Sequence, residues 1–574
     1  MDYAGLTPRA RMLLRHGALV QERSSWISRY KEISEYLLPY SGRFFTQDRN
    51  RGDKSFNDII DGEGTFALDT LSAGMMAGMT SPARPWFRLA TSDKNLMEFA
   101  PVKLWLNDVT ELMQDIFSRS NVYRALHASY EELGAFATEA MIIENNFDTV
   151  VHATTLTAGE YAIATDDQGK VNTLFREYEM TIDQIVSKFV ARPNGQMDWT
   201  VVSPSIKNLW DMHRHYDAWV PVVHAIEPRP MSERDYGNKS AKHMPIRSCY
   251  IEKNASDVSM GNVFLRESGY KDFPGTVSRW ATRGGDVYGH GPSFRALGHI
   301  KQLQHEQLRK AQGIDFKTLP PVQVPSGMSE RPDSMLPGGV YVVDSTAPGQ
   351  GIRSAYEVNV DLSHLLLDIQ DVRQAINKAF YADLFRMLSN NNRVQPATAR
   401  EIAEKHEEKL LMLGPVVERL HDEKLNPLID LTFAKMVEAG ILPVPPKEMQ
   451  GQDLRVQFVS TLAQAQRMVG LGAVDRLLGT VIAVSQIKPE VADKLDADQL
   501  IDKYGDMTGV DPSLIVADDK VAIIREQRAQ AQASAQRAAQ MEQATKAAQN
   551  LGSIKTNEPN ALTDMVQQLQ GAKQ

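Results

Sequence analysis

A single cysteine, Cys249, stands in a chain of 574 residues. That excludes an internal disulfide framework and fits assembly in a reducing cytoplasm. Cys249 has no basic neighbourhood beyond Arg247 and is expected to be a packed residue. Long apolar runs are missing as well. The most apolar stretch, FALDTLSAGMMAGMTSP (Phe66 to Pro82), carries Asp69 and is shorter than the ~20 residues a bilayer core demands, so it reads as a buried helix and no membrane partner is expected. Met1 to Arg11 runs into a charged helical pattern without a secretory apolar region. Positive charge is not in excess either. At a net charge of −9 the chain has no general attraction for nucleic acid, and any contact with it has to be local or weak.

The residue patterns of catalysis are equally scarce. A nucleotide-driven motor needs a glycine-rich cradle followed by Lys and Ser or Thr, because backbone donors and a lysine must neutralise the triphosphate. The pair Gly169-Lys170 is preceded by DDQ and followed by Val171, which is a hairpin turn. RGGDVYGHGPSFRAL lacks the dinucleotide spacing and reads as a glycine turn feeding a helix. Gly291-Pro292-Ser293-Phe294 continues with Arg295, so it is no nucleophile elbow, and His406-Glu407-Glu408 has Leu410 where a zinc helix needs histidine. In WDMHRHYDAW, Asp211, His213, His215 and Asp217 alternate and would share one strand face, a spacing that can chelate a divalent ion. No distant His or Cys cluster completes a site, so a mixed polar strand face is the expectation. Catalytic residues, cofactors and metal ligands are accordingly assigned to none of these positions, and no enzymatic activity is expected. A nucleotide-driven DNA translocase is the alternative that the missing cradle argues against.

What is present is an ordinary globular balance, with 42% hydrophobic and 24% charged residues, over a length that suits two to four structural units. Thr7 to Leu38 has a capping threonine, a first-turn proline and helical apolar spacing, so one long helix is expected there, ended by Pro39. A small-residue helix over Gly64 to Gly78 would let another backbone come close. Val102 to Asn145 reads as two helices, and from about Thr149 to Val287 short β-branched runs broken by DDQGK, RPNGQ and MGN read as strands. Pro292 to Phe316 returns to helix, about 37 Å long at ~1.5 Å per residue. The proline-rich stretch from 317 to 360 contains VQV and GGVYVVD and suggests a small β unit, and Asp361 to Leu388 is helical again. Thr398 and Glu401 form a capping-box pattern for a helix to about Gly440 that Pro415 and Pro427 should bend. In Val521 to Gln549, 17 of 29 residues are Ala or Gln, a strong helix former with too little side chain to build a core without neighbours of its own kind.

The order of these parts carries a resemblance. ERSSWISRYKEISEYLLP, LSAGMMAGMTSPARPWFRL, WLNDVTELMQDIFSRSNVY, DVYGHGPSFRALGHIKQL and ATAREIAEKHEEKLLMLGPVVERLHDEKLNPLI, followed by AGILP, occur in the order and spacing seen in portal proteins of short-tailed bacteriophages. The chain resembles that family of head-to-tail connectors from about Leu6 to at least Pro446. The resemblance implies an α+β, mainly helical fold. Its parts would be an N-terminal wing over 1–291, stem helices over 292–316 and 361–388, and a β-containing clip over 317–360. A tunnel loop over 389–395, a long bent wing helix over 396–446, a crown over 447–520, a helical barrel over 521–549 and a flexible tail over 550–574 would complete it. It further implies a ring, usually of twelve subunits, at one vertex of the virion capsid, assembled in the host cytoplasm. Double-stranded DNA would pass through without sequence specificity, and terminase, capsid and scaffolding proteins and tail adaptors would be partners.

Within that frame RMLSNNNRVQPATAREIAEK acquires a role. Asn390, Asn391 and Asn392 offer donors and acceptors without charge, so a ring of them can touch a passing duplex without holding it, and Arg386 and Arg393 would add limited neutralisation. Read without the resemblance, the same residues are a polar loop with turn-forming asparagines. On the Pro292 helix, Arg295, Lys301, Arg309 and Lys310, with His299 and His305, outnumber Glu306 and Asp315, and Lys301, Arg309 and Lys310 are candidates to face DNA.

Overall fold

The computed structural model describes residues 6–45, 59–93, 96–97, 99–212, 216–235, 237–238, 240–255, 262–325, 336–343, 353–354, 363–389, 413–449, 454–460, 477–484, 488, 495–508, 516 and 518–552. The chain divides into two compact units, Met1–Gly470 and Leu471–Gln574. Helix and sheet are mixed throughout the first unit, and helices outweigh strands.

The first unit opens with α1 (Pro8–Glu22), whose first turn is capped by Thr7 Oγ1 accepting from Ala10 N at 3.2 Å. Residue Arg23 divides the single helix expected to run to Leu38, and α2 (Ser24–Tyr36) begins directly after it. The reason lies in the Arg23 side chain, which is buried and donates to the carbonyls of Tyr161 and Gly159. A buried guanidinium must find acceptors, and the break aims it at the carbonyls of Gly159 and Tyr161. Then come α3 (Glu63–Met79), β1 (Phe87–Thr91), α4 (Ala100–Arg119) and α5 (Val122–Phe136). The second of the two helices expected up to Asn145 therefore stops early. Ala137 takes a left-handed φ of 59°, which ends α5 and turns the chain into β2 (Thr138–Asn146) eleven residues before the expected β region.

Strands β3 (Val150–Leu156), β4 (Tyr161–Thr165), β5 (Val171–Thr181), β6 (Trp219–Pro228), β7 (Ile246–Glu252), β8 (Arg266–Tyr270) and β9 (Gly275–Arg279) form two antiparallel sheets, ordered β3-β2-β9 and β4-β5-β6-β7-β8. Gly169, at φ 79°, turns the β4–β5 hairpin as expected. Cys249 is buried in β7, and burial pushes its thiol up to about 12. The expected strand face at WDMHRHYDAW is a correction. Ser203 and Pro204 start a helix, α6 (Pro204–Asp211), which carries Asp211 at its end, and Asp217 lies in a turn, while His213 and His215 fall outside the described residues. Among the described residues no three or more His, Cys, Asp or Glu side chains gather to hold a metal ion, and no helix is long and apolar enough to cross a membrane.

Helix α7 (Pro292–Thr318) leads to a small sheet of β10 (Val322–Pro325), β11 (Val340–Val343) and β12 (Arg353–Ser354), in which β10 is parallel to β11 and antiparallel to β12. The chain returns along α8 (Ser363–Ala379) and α9 (Ala382–Ser389). These are two helices where one was expected over Asp361 to Leu388. Phe380 is buried and Tyr381 adopts φ 55°, so the chain bends sharply between them. From residue 413 the chain is helical again, passes a π-helical turn at His421–Leu425, and continues as α10 (Asn426–Ala439). The bend expected at Pro427 takes this form, because proline removes the donor that a regular turn would need. Gly440, at φ 67°, ends α10, and β13 (Leu454–Phe458) pairs antiparallel with β1. Thr398, Glu401 and His406 lie outside the described residues, as do those of the C-terminal tail beyond 552.

In the second unit residues 477–484 are helical, followed by α11 (Ala497–Thr508) and α12 (Asp518–Gly552). The Ala- and Gln-rich segment is helical as composition dictates, and none of its described side chains is buried. Arg525 forks onto Asp498 with bonds of 2.6 and 2.7 Å, joining α12 to α11.

Candidate functional site

The longest helix among the described residues of the first unit, α7, packs along α8, and the pairings fix the direction. Ile300 reaches the helix start that Glu63 opens, where Glu63 accepts from Asn377 at 2.6 Å, while Glu306 faces Asp368 further along. Rising numbers on α7 meet falling numbers on α8, so the helices are antiparallel. Their seam is apolar, with Leu297, Ile300 and Leu303 buried on one side and Ile369, Val372 and Ile376 on the other. A polar knot secures the seam to the chain before α3. Asp61 accepts from Arg373 at 2.7 Å and from Gln307 at 2.6 Å, and Gln304 accepts from the backbone N–H groups of Ile60 and Asp61 at 2.7 and 2.8 Å. Burial raises the Asp61 carboxyl, but hydrogen bonds from Arg373 and the Glu63 backbone, with the arginine's charge, outweigh it and hold the group below its ordinary value.

The three candidate DNA-facing side chains of α7 are not brought together. Lys301 donates to Glu32 at 3.1 Å and lies 5.2 Å from the Tyr36 ring centroid, on the α2 side. Arg309 is exposed and donates to Gln312 at 3.1 Å, and Lys310 is half-buried. At 100° per residue Lys310 points opposite to Lys301. Arg386 is exposed on α9, and Asn390, Asn391, Asn392 and Arg393 lie outside the described residues.

The chain is anchored firmly on both sides of that segment. Before it, α9 presses Phe385 against α3 at Gly74, where an added Cβ would meet the ring at 2.2 Å. This is the close approach that the small residues of α3 were expected to permit. Tyr381 stacks on Trp280 with ring centroids 6.1 Å apart. After it, the π-helical turn delivers two consecutive charged residues into the body. Glu423 takes a 2.6 Å bond from Arg279 and also accepts from the Arg279 backbone at 2.9 Å. Lys424, fully buried, donates to Glu139 at 2.5 Å and to Ser129, while Ser278 donates to the same Glu139 oxygen. Burial lowers the Lys424 ammonium despite the opposing pull of Glu139. Sequence reading missed this pair. The signal was there, since Lys424 falls midway between Leu420 and Leu428 on an apolar stripe, four residues from each.

The long helix pair around a small sheet, carried on a mixed α+β body and followed by a separate helical unit, has close relatives. The sequence matches the family described as bacteriophage head to tail connecting protein over residues 9–516. It is 54% identical over 565 residues to a "Probable portal protein" of Bordetella phage BPP-1, covering 98% of this chain and 99% of that one. It is 42% identical over 559 residues to a "Portal protein" of Salmonella phage epsilon15, covering 97% and 98%. The chain therefore belongs to the bacteriophage head-to-tail connecting protein family. Its role is that of the connector between head and tail in phage DNA packaging.

Proposed function

We propose that twelve copies of this chain close into a ring at a unique capsid vertex, leaving an axial hole through which double-stranded DNA enters during packaging and leaves on ejection. The ring is assembled in the host cytoplasm and stays in the virion. It does no catalysis of its own. Terminase supplies the energy and docks on the clip over 317–360, tail adaptors later take its place there, and capsid and scaffolding proteins are further partners. The stem is the pair over 292–316 and 361–388, the bent wing helix covers 396–446, the crown 447–520, and a parallel helical barrel 521–549.

The observation that carries this reading is the antiparallel pair α7 and α8 with the small β10–β12 sheet between them in the sequence. A rigid out-and-back rod with a β tip is what a ring needs to extend its hole and present a docking end. Within it, the loop over 389–395 touches DNA through Asn390, Asn391 and Asn392, with Arg386 and Arg393 giving partial neutralisation. Arg309 and Lys310 add weak phosphate contact, and Lys301, tied to Glu32, contributes less. Negative-stain imaging of the purified protein tests the ring directly, and solitary molecules or a centre plugged by side chains would overturn it. Replacing Asn390 to Asn392 and Arg393 by alanine should leave rings intact while changing packaged genome length or retention. Measurable ATP hydrolysis by the purified protein would instead favour a nucleotide-driven translocase.

A further inference from the structure

Two lysines on one helical stripe meet different kinds of partner on β2. Lys424 and Lys435 are eleven residues apart, close to three turns, while Glu139 and Asn145 are six apart and so share one face of the strand. Helix and strand therefore set an amine opposite an acyl group twice. Lys424 meets the Glu139 carboxylate. Lys435, 8% exposed, donates instead to the carboxamide oxygen of Asn145, and among the described residues no carboxylate comes within ion-pair distance of it. Glu438, one turn further along α10, is where helix spacing would put its ion partner. That carboxylate is turned to the amide instead, its Oε2 accepting from Asn145 Nδ2 at 3.3 Å. The carboxamide thus has an amine at its carbonyl and an acid group at the nitrogen that could leave. Burial lowers the Lys435 ammonium against the opposing charges of Glu438 and Glu144, which favours the neutral, nucleophilic amine.

We propose that Lys435 and Asn145 join in an isopeptide bond, with Glu438 moving the proton, so that α10 is stapled covalently to β2. Lys435 Nζ, as the neutral amine, attacks Asn145 Cγ. Glu438 takes the proton that Nζ sheds and returns it to Nδ2, whereupon the Cγ–Nδ2 bond breaks and ammonia leaves behind the new Nζ–Cγ amide. Amine plus carboxamide gives amide plus ammonia, so the step needs no oxidant, reductant or cofactor. A primary amide is a poor acyl donor, and the held contact compensates, because groups fixed against each other react as if at very high concentration. Asn145 and Glu438 are exposed, which gives ammonia its exit and lets Glu438 exchange protons with water. The bond would tie positions 290 apart in the chain and so restrict what the unfolded chain can explore. This goes beyond the connector role and does not depend on ring closure.

The test is the intact mass of the full wild-type chain, purified, kept folded at mildly alkaline pH and then denatured. The chain should weigh one ammonia less than its sequence. Proteolysis and tandem mass spectrometry should then yield a branched peptide joining the β2 segment at Asn145 to the α10 segment at Lys435. Asn145→Ala and Lys435→Met should each restore the full sequence mass. Glu438→Gln, at an exposed position, should keep the fold and slow closure by about 100-fold or more, leaving the open chain as the main species. Because the first reading is taken on the wild type, it does not depend on any variant folding. A wild-type chain that stays at its full sequence mass overturns the proposal. So does an ammonia loss without the branched peptide, or one that persists in Asn145→Ala, since either places the lost ammonia elsewhere. Conversion of Asn145 to aspartate would show that water attacks in place of Lys435, which also overturns it.

Discussion

Helix α7 runs for 27 residues and α12 for 35, yet the two are long for opposite reasons. Along α7 a buried stripe, the Asp61 knot and the Glu32 contact account for almost every turn up to Gln307. Along α12 no described side chain is buried, and its helicity rests on alanine's intrinsic preference and on pairs such as Glu542 to Lys546 at 2.6 Å. A helix of the first kind is specified by partners within its own chain. One of the second kind is unfinished until other copies or other proteins cover it.

If the body is held by specific interior contacts, removing one should be costly. The largest effect is expected at Lys424. Lys424→Ala strands the buried Glu139 charge and should destabilise the first unit by about 3–5 kcal/mol in denaturant unfolding. Lys424→Met combined with Glu139→Leu should recover most of that, since the pair's geometry matters less than leaving one charge alone. Next comes the α3–α9 contact. Gly74→Ala should cost about 1–3 kcal/mol by lifting Phe385, even though alanine favours the helix by up to ~1 kcal/mol. Adding Phe385→Ala to that variant should relieve the overpacking while losing the aromatic contact, so the two changes should be markedly non-additive.

Much of this body was legible. The helix over Pro292, the β unit after it, the strands of the middle third and the Ala/Gln helix follow from periodicity and punctuation, which are local. What stayed hidden were breaks caused by distant partners. Arg23 splits the first helix because its acceptors lie on Gly159 and Tyr161, and Tyr381 bends the chain to reach Trp280. The early start of β2 depended on one left-handed alanine, a conformation alanine does not advertise. Of the candidate site, residue types and order were readable, but helix facing was not. The sequence groups Lys301 with Arg309 and Lys310, and only packing against Glu32 and Tyr36 separates them.

A subtler probe of the interior is acidity. Glu132 accepts from Ser41, from Thr157 at 2.8 Å and from Ala158 N at 3.1 Å, and burial still pushes its carboxyl up to about 7. The folded value lies above the ordinary 4.5, so the contribution is complete below pH 4.5 and is lost as pH rises toward about 7. Wild-type stability should therefore fall across that window at up to about 1.4 kcal/mol per pH unit from this group, and Glu132→Gln should remove that slope. Unchanged slopes in paired melts would mean that Glu132 ionises in the fold without penalty.

The smallest effect should come from the other side of the comparison. Deleting residues 521–574 takes away most of α12, where no described side chain is buried, so the unfolding free energy of the first unit should change by less than about 0.5 kcal/mol. Ring formation, read by negative stain, should survive as well. The exposed Ile523, Ile524 and Met541 give α12 something for neighbouring copies to cover, but they are sparse beside its alanines. Mutual burial of so little apolar surface can extend an assembly that already exists more readily than it can start one. Loss of rings on deletion would reverse that order and make the exposed helix the part that nucleates the assembly.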